Sequence, residues 1–511
     1  MVDTPQLEMP DISARTRAWT LCIACLGVLL VISSMVALNT ALGDIAVAMS
    51  ASQTQLTWIV DVYTLALACL LLPAGAIGDR FGRRVALLAG LAVFAAASVV
   101  PAVCSDPGYV IAARGVAGAG AAFIMPATLS LLTTAYPKDQ RAKAIAIWAG
   151  VAGCGAIVGM LGSGVLLQVW SWQAVFWGFA IGAALIFVLA LTIAESKDPD
   201  ATPLDVVGAV TIGVAVAVLV FGILEAPARG WGHPVVLCCI AAGVLLMIAF
   251  GIVELRRVHP LLDVRLFRVP EFATGAAAIT ALFMTMFGFF FLEMQLLQLV
   301  LGYSPLGTAV ALSPLAVPLL ILSPLSAWYL PRLGLRFVVF TGLMLMATGL
   351  LCMRGLAVDA TYWELAWPLL IISTGVGLFT APTTSAIMTS APDDKQGVAS
   401  AVNDTTREMG AALGIALAGS MLAAGYTHEI LPALGGYPEP LRRAAAGSLG
   451  EALNAATQLG PNGTDLIFAA KMSFLYAMQS SLTVLAVVTA VAALVISLFA
   501  PGRDGRLLFR R

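Results

Sequence analysis

The sequence predicts an all-α integral membrane protein of fourteen transmembrane helices, arranged as six, two and six, with both termini cytoplasmic. Three observations predict it. Of 511 residues, 60% are hydrophobic and only 11% charged, whereas soluble domains carry about a quarter charged residues. Apolar runs recur at the length of about 20 residues that crosses a bilayer as a helix. Lysine and arginine gather in alternate gaps between those runs, as they do on the cytoplasmic side of membrane proteins.

In chain order the runs lie near 19–41, 57–77, 85–104, 108–133, 143–167, 173–194, 206–226, 234–254, 272–294, 307–329, 337–355, 364–388, 398–425 and 473–500. Before the first come Asp3, Glu8, Asp11, Arg15 and Arg17, and no small-residue cleavage site follows it, so it reads as a retained helix rather than a signal peptide. The second carries Asp61 one turn inside its apolar stretch and ends in DRFGRR. Arg114 lies within the fourth, Glu293 within the ninth, and Asp404, Arg407 and Glu408 within the thirteenth. A polar segment, 426–471, precedes the last run. Its middle, LRRAAAGSLGEALNAATQL, has helical composition, and it reads as a surface flap or, alternatively, a gate.

Of 27 cationic residues, 20 fall on one side: Arg15, Arg17, Arg80, Arg83, Arg84, Lys138, Arg141, Lys143, Lys197, Arg256, Arg257, Arg265, Arg268, Arg332, Arg336, Lys395 and the C-terminal Arg503, Arg506, Arg510 and Arg511. That side is assigned as cytoplasmic. The eight cysteines fall in or at the edge of apolar runs and read as small buried residues. Asn462 begins a glycosylation sequon, which has meaning only in a glycosylating host. A net charge of −1 without a basic cluster excludes nucleic acid as a partner. No GxxxxGK[ST] and no His/Cys/Asp cluster occurs, so neither an ATPase, a metal enzyme nor a cofactor is expected, and an ion gradient is left as the energy source.

The chain repeats itself weakly. DRFGRR at 79–84 returns as PRLGLR at 331–336, and FIMPATLSLLTTAYPKDQ at 123–140 returns as FTAPTTSAIMTSAPDDK at 379–395. Offsets of 252 and about 256 residues superpose one six-helix half on the other, leaving the seventh and eighth runs between them. Duplicated halves are a common build of secondary transporters, which rock about a site near the midplane. Expected units are 1–194, a two-helix insert at 195–258, and 259–511 including the external segment.

GAIGDRFGRRVAL, Gly75 to Leu87, resembles the loop signature G-x-L-A-D-R-x-G-R-K-x-x-L of the major facilitator superfamily. WIVDVYTLALA, HPLLDVRLFR at 259–268, LGYSPLGTAVALSP at 301–314 and SAVNDTTREMGAALGIALAG at 400–419 are similar to its fourteen-helix drug:proton antiporter branch, exporters of quaternary ammonium compounds, dyes and biguanides. The resemblance covers essentially the whole chain and implies the major facilitator fold. Three positions depart from the branch. Alignment on Asn39 puts Ser34 where an acid of the first helix is usual, Ala117 stands where a glutamine is common, and Met160 replaces the proline of the fifth-helix antiporter signature.

Around these motifs the candidate site residues fall into three groups. Gly75, Asp79, Arg80, Gly82, Arg83 and Arg84 read as a conformational latch in which the glycines allow a tight turn and Asp79 accepts hydrogen bonds from the start of the next helix. Asp61, Glu293, Asp404, Glu408 and Arg114 form the proton- and substrate-coupling set, since an acid in low dielectric can exchange protons near neutral pH or trade its proton for a cation. Arg407, three residues after Asp404, is the local partner that neutralises it in the alternative reading, and the same alternative lets Asp61 and Glu293 reach water at the external ends of their helices. Trp58, Tyr63, Phe287 and Phe290 are candidate faces for an organic cation.

The expected function is that of a monomeric, multi-pass cell-membrane antiporter exporting lipophilic, cationic drugs or dyes against protons by alternating access. Alternatives are a dedicated exporter of an endogenous lipid or secondary metabolite, and a non-transporting membrane sensor or scaffold.

Overall fold

A computed structural model describes residues 13–49, 53–104, 106–196, 205–257, 260–392, 395–459 and 463–503. The expectations placed on Asp3, Glu8, Asp11, Lys197, His259, Asn462, Arg506, Arg510 and Arg511 lie outside the described residues. Every regular element among those described is helical: α1 Ala14–Met49, α2 Gln53–Phe81, α3 Arg83–Val103, α4 Pro107–Ala135, α5 Lys138–Val169, α6 Gln173–Ala190, α7 Val206–Arg229 and α8 Pro234–Glu254. There follow α9 Pro270–Gln295, a π-turn Leu296–Val300, α10 Pro305–Leu312, α11 Ala316–Cys352, α12 Tyr362–Ser390, α13 Gln396–Ile430, α14 Glu439–Gly447, α15 Leu449–Gln458 and α16 Thr464–Phe499. Hydrocarbon offers backbone groups no hydrogen bonds, so the spanning segments close them internally.

Thirteen helices among the described residues are long and apolar enough to cross a membrane. One of them, Pro305–Gly355, has 51 residues, and at about 1.5 Å per residue it is more than twice as long as a hydrocarbon core of about 30 Å. At Gly334 (φ 78, ψ 154) the chain leaves helical geometry and turns back. Two spans result, which fits the fourteen expected. Helix ends reach further than the apolar runs: α1 starts at Ala14, α5 at Lys138 and α16 at Thr464. Backbone bonding continues past the hydrocarbon, where side chains no longer have to be apolar.

The sequence echo has a structural counterpart. Gly82 (φ 119) and Gly334 (φ 78) both adopt the left-handed region that glycine tolerates. Two residues on, Arg84 donates to the carbonyls of Ala190 (3.3 Å) and Leu191 (2.5 Å) at the end of α6. Arg336 donates in the same way to the carbonyl of Ala500 (2.9 Å) at the end of α16. In each loop a cation meets the negative end of a helix.

α2 and α4 pack against α13, and α5 packs against α11 and α12. These contacts form the seam between the first six and the last six spans. α7 packs on α8 and on both α2 and α13 at one edge of the seam. The segment between α13 and α16 is shorter than expected, because α13 continues to Ile430 and α16 begins at Thr464. It is a docked pair of helices: Tyr426 Oη and Thr427 Oγ1 donate to the carbonyls of Ala445 and Ala446, each at 3.0 Å, and Ala445, Leu449, Ala452 and Ala456 are buried. All eight cysteines are free, but only Cys154 is buried. The expectation of buried thiols is corrected, since lipid accepts a small apolar group as readily as the protein interior does.

Candidate functional site

DRFGRR closes one end of the seam. Asp79, 5% exposed, accepts hydrogen bonds from the backbone N–H groups of Gly397 (2.9 Å) and Val398 (3.1 Å), in the first turn of α13. Arg83 clasps the same carboxylate through Nε (2.9 Å) and Nη2 (2.7 Å). Asp79 was expected to cap the helix that follows it. The N-cap of α3 is instead Gly82, without a side-chain cap, and Asp79 reaches 318 residues along the chain to serve the positive end of α13. Two glycines allow that approach: a Cβ on Gly75 would lie 2.5 Å from the carbonyl oxygen of Gly397, and one on Gly397 would lie 2.6 Å from Asp79 Oδ1. Arg84 holds the end of α6, as described above, while Arg80 stacks on Phe81 at 5.3 Å.

Two turns further into α13 lies a buried charge cluster. Arg407 (2% exposed) rests between two rings, Trp148 of α5 at 5.0 Å and Phe283 of α9 at 5.2 Å. Its Nη2 donates to Thr384 Oγ1 at 3.4 Å. Asp404 is paired with it, as the i,i+3 spacing predicts, but Nε and Oδ1 stand 3.9 Å apart, beyond hydrogen bonding. Asp404 Oδ1 takes Asn403 Nδ2 instead, at 3.1 Å. Glu408 interacts electrostatically with Asp404, Arg407 and Tyr63. Asp404 Oδ2, Glu408 Oε2 and the Nε and Nη1 of Arg407 have no hydrogen-bond partner.

Arg114 lies apart from this cluster among neutral groups. It donates to Ser34 Oγ (3.0 Å), the Ser34 carbonyl (3.3 Å) and the Ile59 carbonyl (3.1 Å), and its guanidinium lies 4.1 Å over the ring of Tyr63. Tyr63 is wholly buried, with its hydroxyl on the Val31 carbonyl at 3.1 Å. It serves as a floor for Arg114, not as an open aromatic face.

Asp61 points elsewhere. It is half-buried beside α7, where it interacts electrostatically with Glu225, itself paired with Arg229, and Trp58 stacks on Phe221 at 6.1 Å. Glu293 is 0% exposed and neither of its carboxylate oxygens has a hydrogen-bond partner. It stands three residues before the π-turn, a feature often found at functional sites. Phe283, Phe287 and Phe290 continue along α9, the first two stacked at 6.0 Å and the second pair edge-on at 6.4 Å.

At the end of the seam opposite the latch, a cavity of about 410 Å³ separates Thr40, Asp44 and Gln168 from Gln298, Ser304 and Leu306. Asp79 thus ties the seam at one end, and the cavity indents it at the other. Sequence reading missed Trp148, Phe283, Thr384 and Glu225. A lone tryptophan in the middle of the small-residue helix α5 was the one signal that pointed to Trp148.

Residues 24–415 match the family model described as Major Facilitator Superfamily. The chain is 32% identical over 488 residues to the multidrug efflux pump LfrA of Mycolicibacterium smegmatis, covering 94% of this chain and 96% of that protein. It is 31% identical over 478 residues to the methyl viologen resistance protein SmvA of Salmonella typhimurium, covering 91% and 95%. A bacterial homolog of the human lysosomal transporter Spinster, solved inward-facing and unoccupied, superposes with a TM-score of 0.61 at 17% identity over 96% of this chain and 98% of that one.

Proposed function

The chain belongs to the Major Facilitator Superfamily, and on that premise we propose that it exports lipophilic, cationic compounds from the cell in exchange for protons. One observation carries the reading: Glu408 and Glu293 are carboxyl groups buried in the helix bundle, 5% and 0% exposed, and no donor meets Oε2 of the first or either oxygen of the second. A carboxylate so placed is costly unless it holds a proton or a cation, so uptake of one favours loss of the other.

In this mechanism the two occupants favour different rocking states. A ligand shifts such an equilibrium only by its differential affinity for the two states. The seam between α2 and α13 opens when the Asp79 bonds to Gly397 and Val398 break, and Arg114, held by Ser34 and backbone carbonyls, keeps the first and second helices in register. Phe287, with Phe290 beyond, lines the outward route, while Asp61 and Trp58 stand aside against α7. The cation-rich end that carries the latch is cytoplasmic and the protein acts as a monomer. Similarity to a methyl viologen resistance protein and a multidrug pump supports a cationic, varied substrate set.

The test uses inverted membrane vesicles with an imposed pH gradient. Methyl viologen or a cationic dye is taken up in wild type, and uptake collapses in Glu408→Gln. Uptake that ignores the gradient, or survives this substitution unchanged, overturns the reading. Flux of neutral metabolites alone would mark a dedicated exporter instead.

A further inference from the structure

A structural arginine normally uses its five N–H donors in clasped bonds. The latch shows the pattern: Arg83 reaches Asp79 at 2.7 and 2.9 Å. Arg407 does not follow it. Its Nε stands 3.9 Å from Asp404, Nε and Nη1 meet no acceptor, its one hydrogen bond is the long 3.4 Å contact of Nη2 with Thr384 Oγ1, and its guanidinium lies over the faces of Trp148 and Phe283. Ring faces attract any cation, with no demand on its donors. The two acids beside it are equally open, with Asp404 Oδ2 and Glu408 Oε2 unpartnered. Donors without acceptors and acceptors without donors therefore share one buried pocket and stay apart.

The position is equally telling. Trp148 comes from α5 and Phe283 from α9, so the guanidinium sits on the seam itself. From Phe283 the stacked Phe287 and the edge-on Phe290 lead along α9 towards the indented end, where Gln298 lines the cavity. With Asp404 and Glu408 ionised, Arg407 leaves the cluster with one net negative charge, and its withdrawal leaves two.

We propose that Arg407 is the resident cation of the substrate site: its guanidinium fills the cradle of Trp148, Phe283, Asp404 and Glu408, and a lipophilic organic cation displaces it on binding. This rests on the export reading above and assigns the site and the competitor within it. Affinity for cations is then set by competition with an internal side chain. Mono- and dications enter the same cradle, and neutral aromatics of the same size gain nothing from emptying it.

Equilibrium binding of tetraphenylphosphonium to the purified full-length protein tests this at one fixed pH. Arg407→Gln is expected to tighten binding by about tenfold or more, while Arg407→Lys, which keeps a competing charge, stays within about threefold of wild type. Equal or weaker binding in an Arg407→Gln protein that keeps the wild-type melting temperature overturns the proposal. A second readout needs no change at Arg407. Methyl viologen quenches tryptophan fluorescence on contact, and the saturable quenching expected in wild type should be largely lost in Trp148→Phe; quenching that persists undiminished overturns the proposal. A wild type that carries methyl viologen against a proton gradient yet fails both readouts leaves the export reading standing and removes the resident cation. Absence of any such flux in wild type removes the export reading itself.

Discussion

Replacing Asp79 by asparagine is expected to release the seam at its tied end. The Arg83 clasp joins neighbouring residues of one loop, so it survives in both rocking states and cancels from their difference. Of the hydrogen bonds that Asp79 accepts, those from Gly397 and Val398 cross the seam. Hydrogen bonds to a charged group contribute about 1.5–3 kcal/mol each, and an asparagine oxygen retains about 1 kcal/mol of that. The closed state then loses about 3 kcal/mol, roughly two orders of magnitude in the equilibrium. A seam closed at about 99:1 moves close to parity. Spin labels at Asp139→Cys and Thr389→Cys, exposed at the latch ends of α5 and α12, report the separation by pulsed dipolar spectroscopy in a background without the eight native cysteines. Wild type should give mainly the short distance and Asp79→Asn a large second population at longer distance. Superimposable distributions would refute the latch.

Other substitutions follow from the same contacts. Gly75→Val puts a branched side chain into the 2.5 Å gap to the Gly397 carbonyl, so it should open the same end in the label experiment without touching any charge. Gly82→Ala and Gly334→Ala force alanine to φ 119 and φ 78, costing about 1–3 kcal/mol each, visible as lower melting temperatures. Glu293→Gln has the shape of the protonated acid, so the melting temperature should hold while proton-driven uptake falls by about tenfold; unchanged uptake would make Glu293 a packing residue. Glu408→Gln should abolish proton release when methyl viologen is added to the purified protein, read with a pH dye in weak buffer.

Much of the fold is legible because a bilayer leaves the chain few choices. Runs of about 20 apolar residues and the bias of lysine and arginine give the spans, and the echo of Gly82 in Gly334 gives the repeat down to its positive φ. The site is less legible, for a physical reason. Lipid is as apolar as the helix interior, so periodicity does not say which face of α5 or α13 is inside. Trp148 stands out in α5 as a lone tryptophan, yet nothing in the sequence joins it to Arg407. The partner of Asp79 was hidden by distance along the chain. Asp61 and Tyr63 are two residues apart and so lie on nearly opposite sides of α2. The structure sends Tyr63 under Arg114 and Asp61 towards α7.

Latch and charge cluster share α13, with Gly397 at its first turn and Arg407 ten residues further on, about 15 Å along a single rigid helix. One end of that helix is tied to α2 by Asp79, and the other site touches α5 through Trp148. Any event that moves Arg407 off Trp148 shifts the same body that the latch holds, so the two sites are linked, and linkage is reciprocal. If substrate loads from the latch end, the closed seam is the binding-incompetent state, and apparent affinity is reduced by the small open fraction. Asp79→Asn should then tighten apparent tetraphenylphosphonium binding by up to the factor by which it opens the seam, about two orders of magnitude at most. Conversely, saturating tetraphenylphosphonium should lengthen the label distance in wild type. A variant that opens the seam but binds the cation no more tightly would show that α13 does not carry the coupling, and that Arg407 and Asp79 act on separate equilibria.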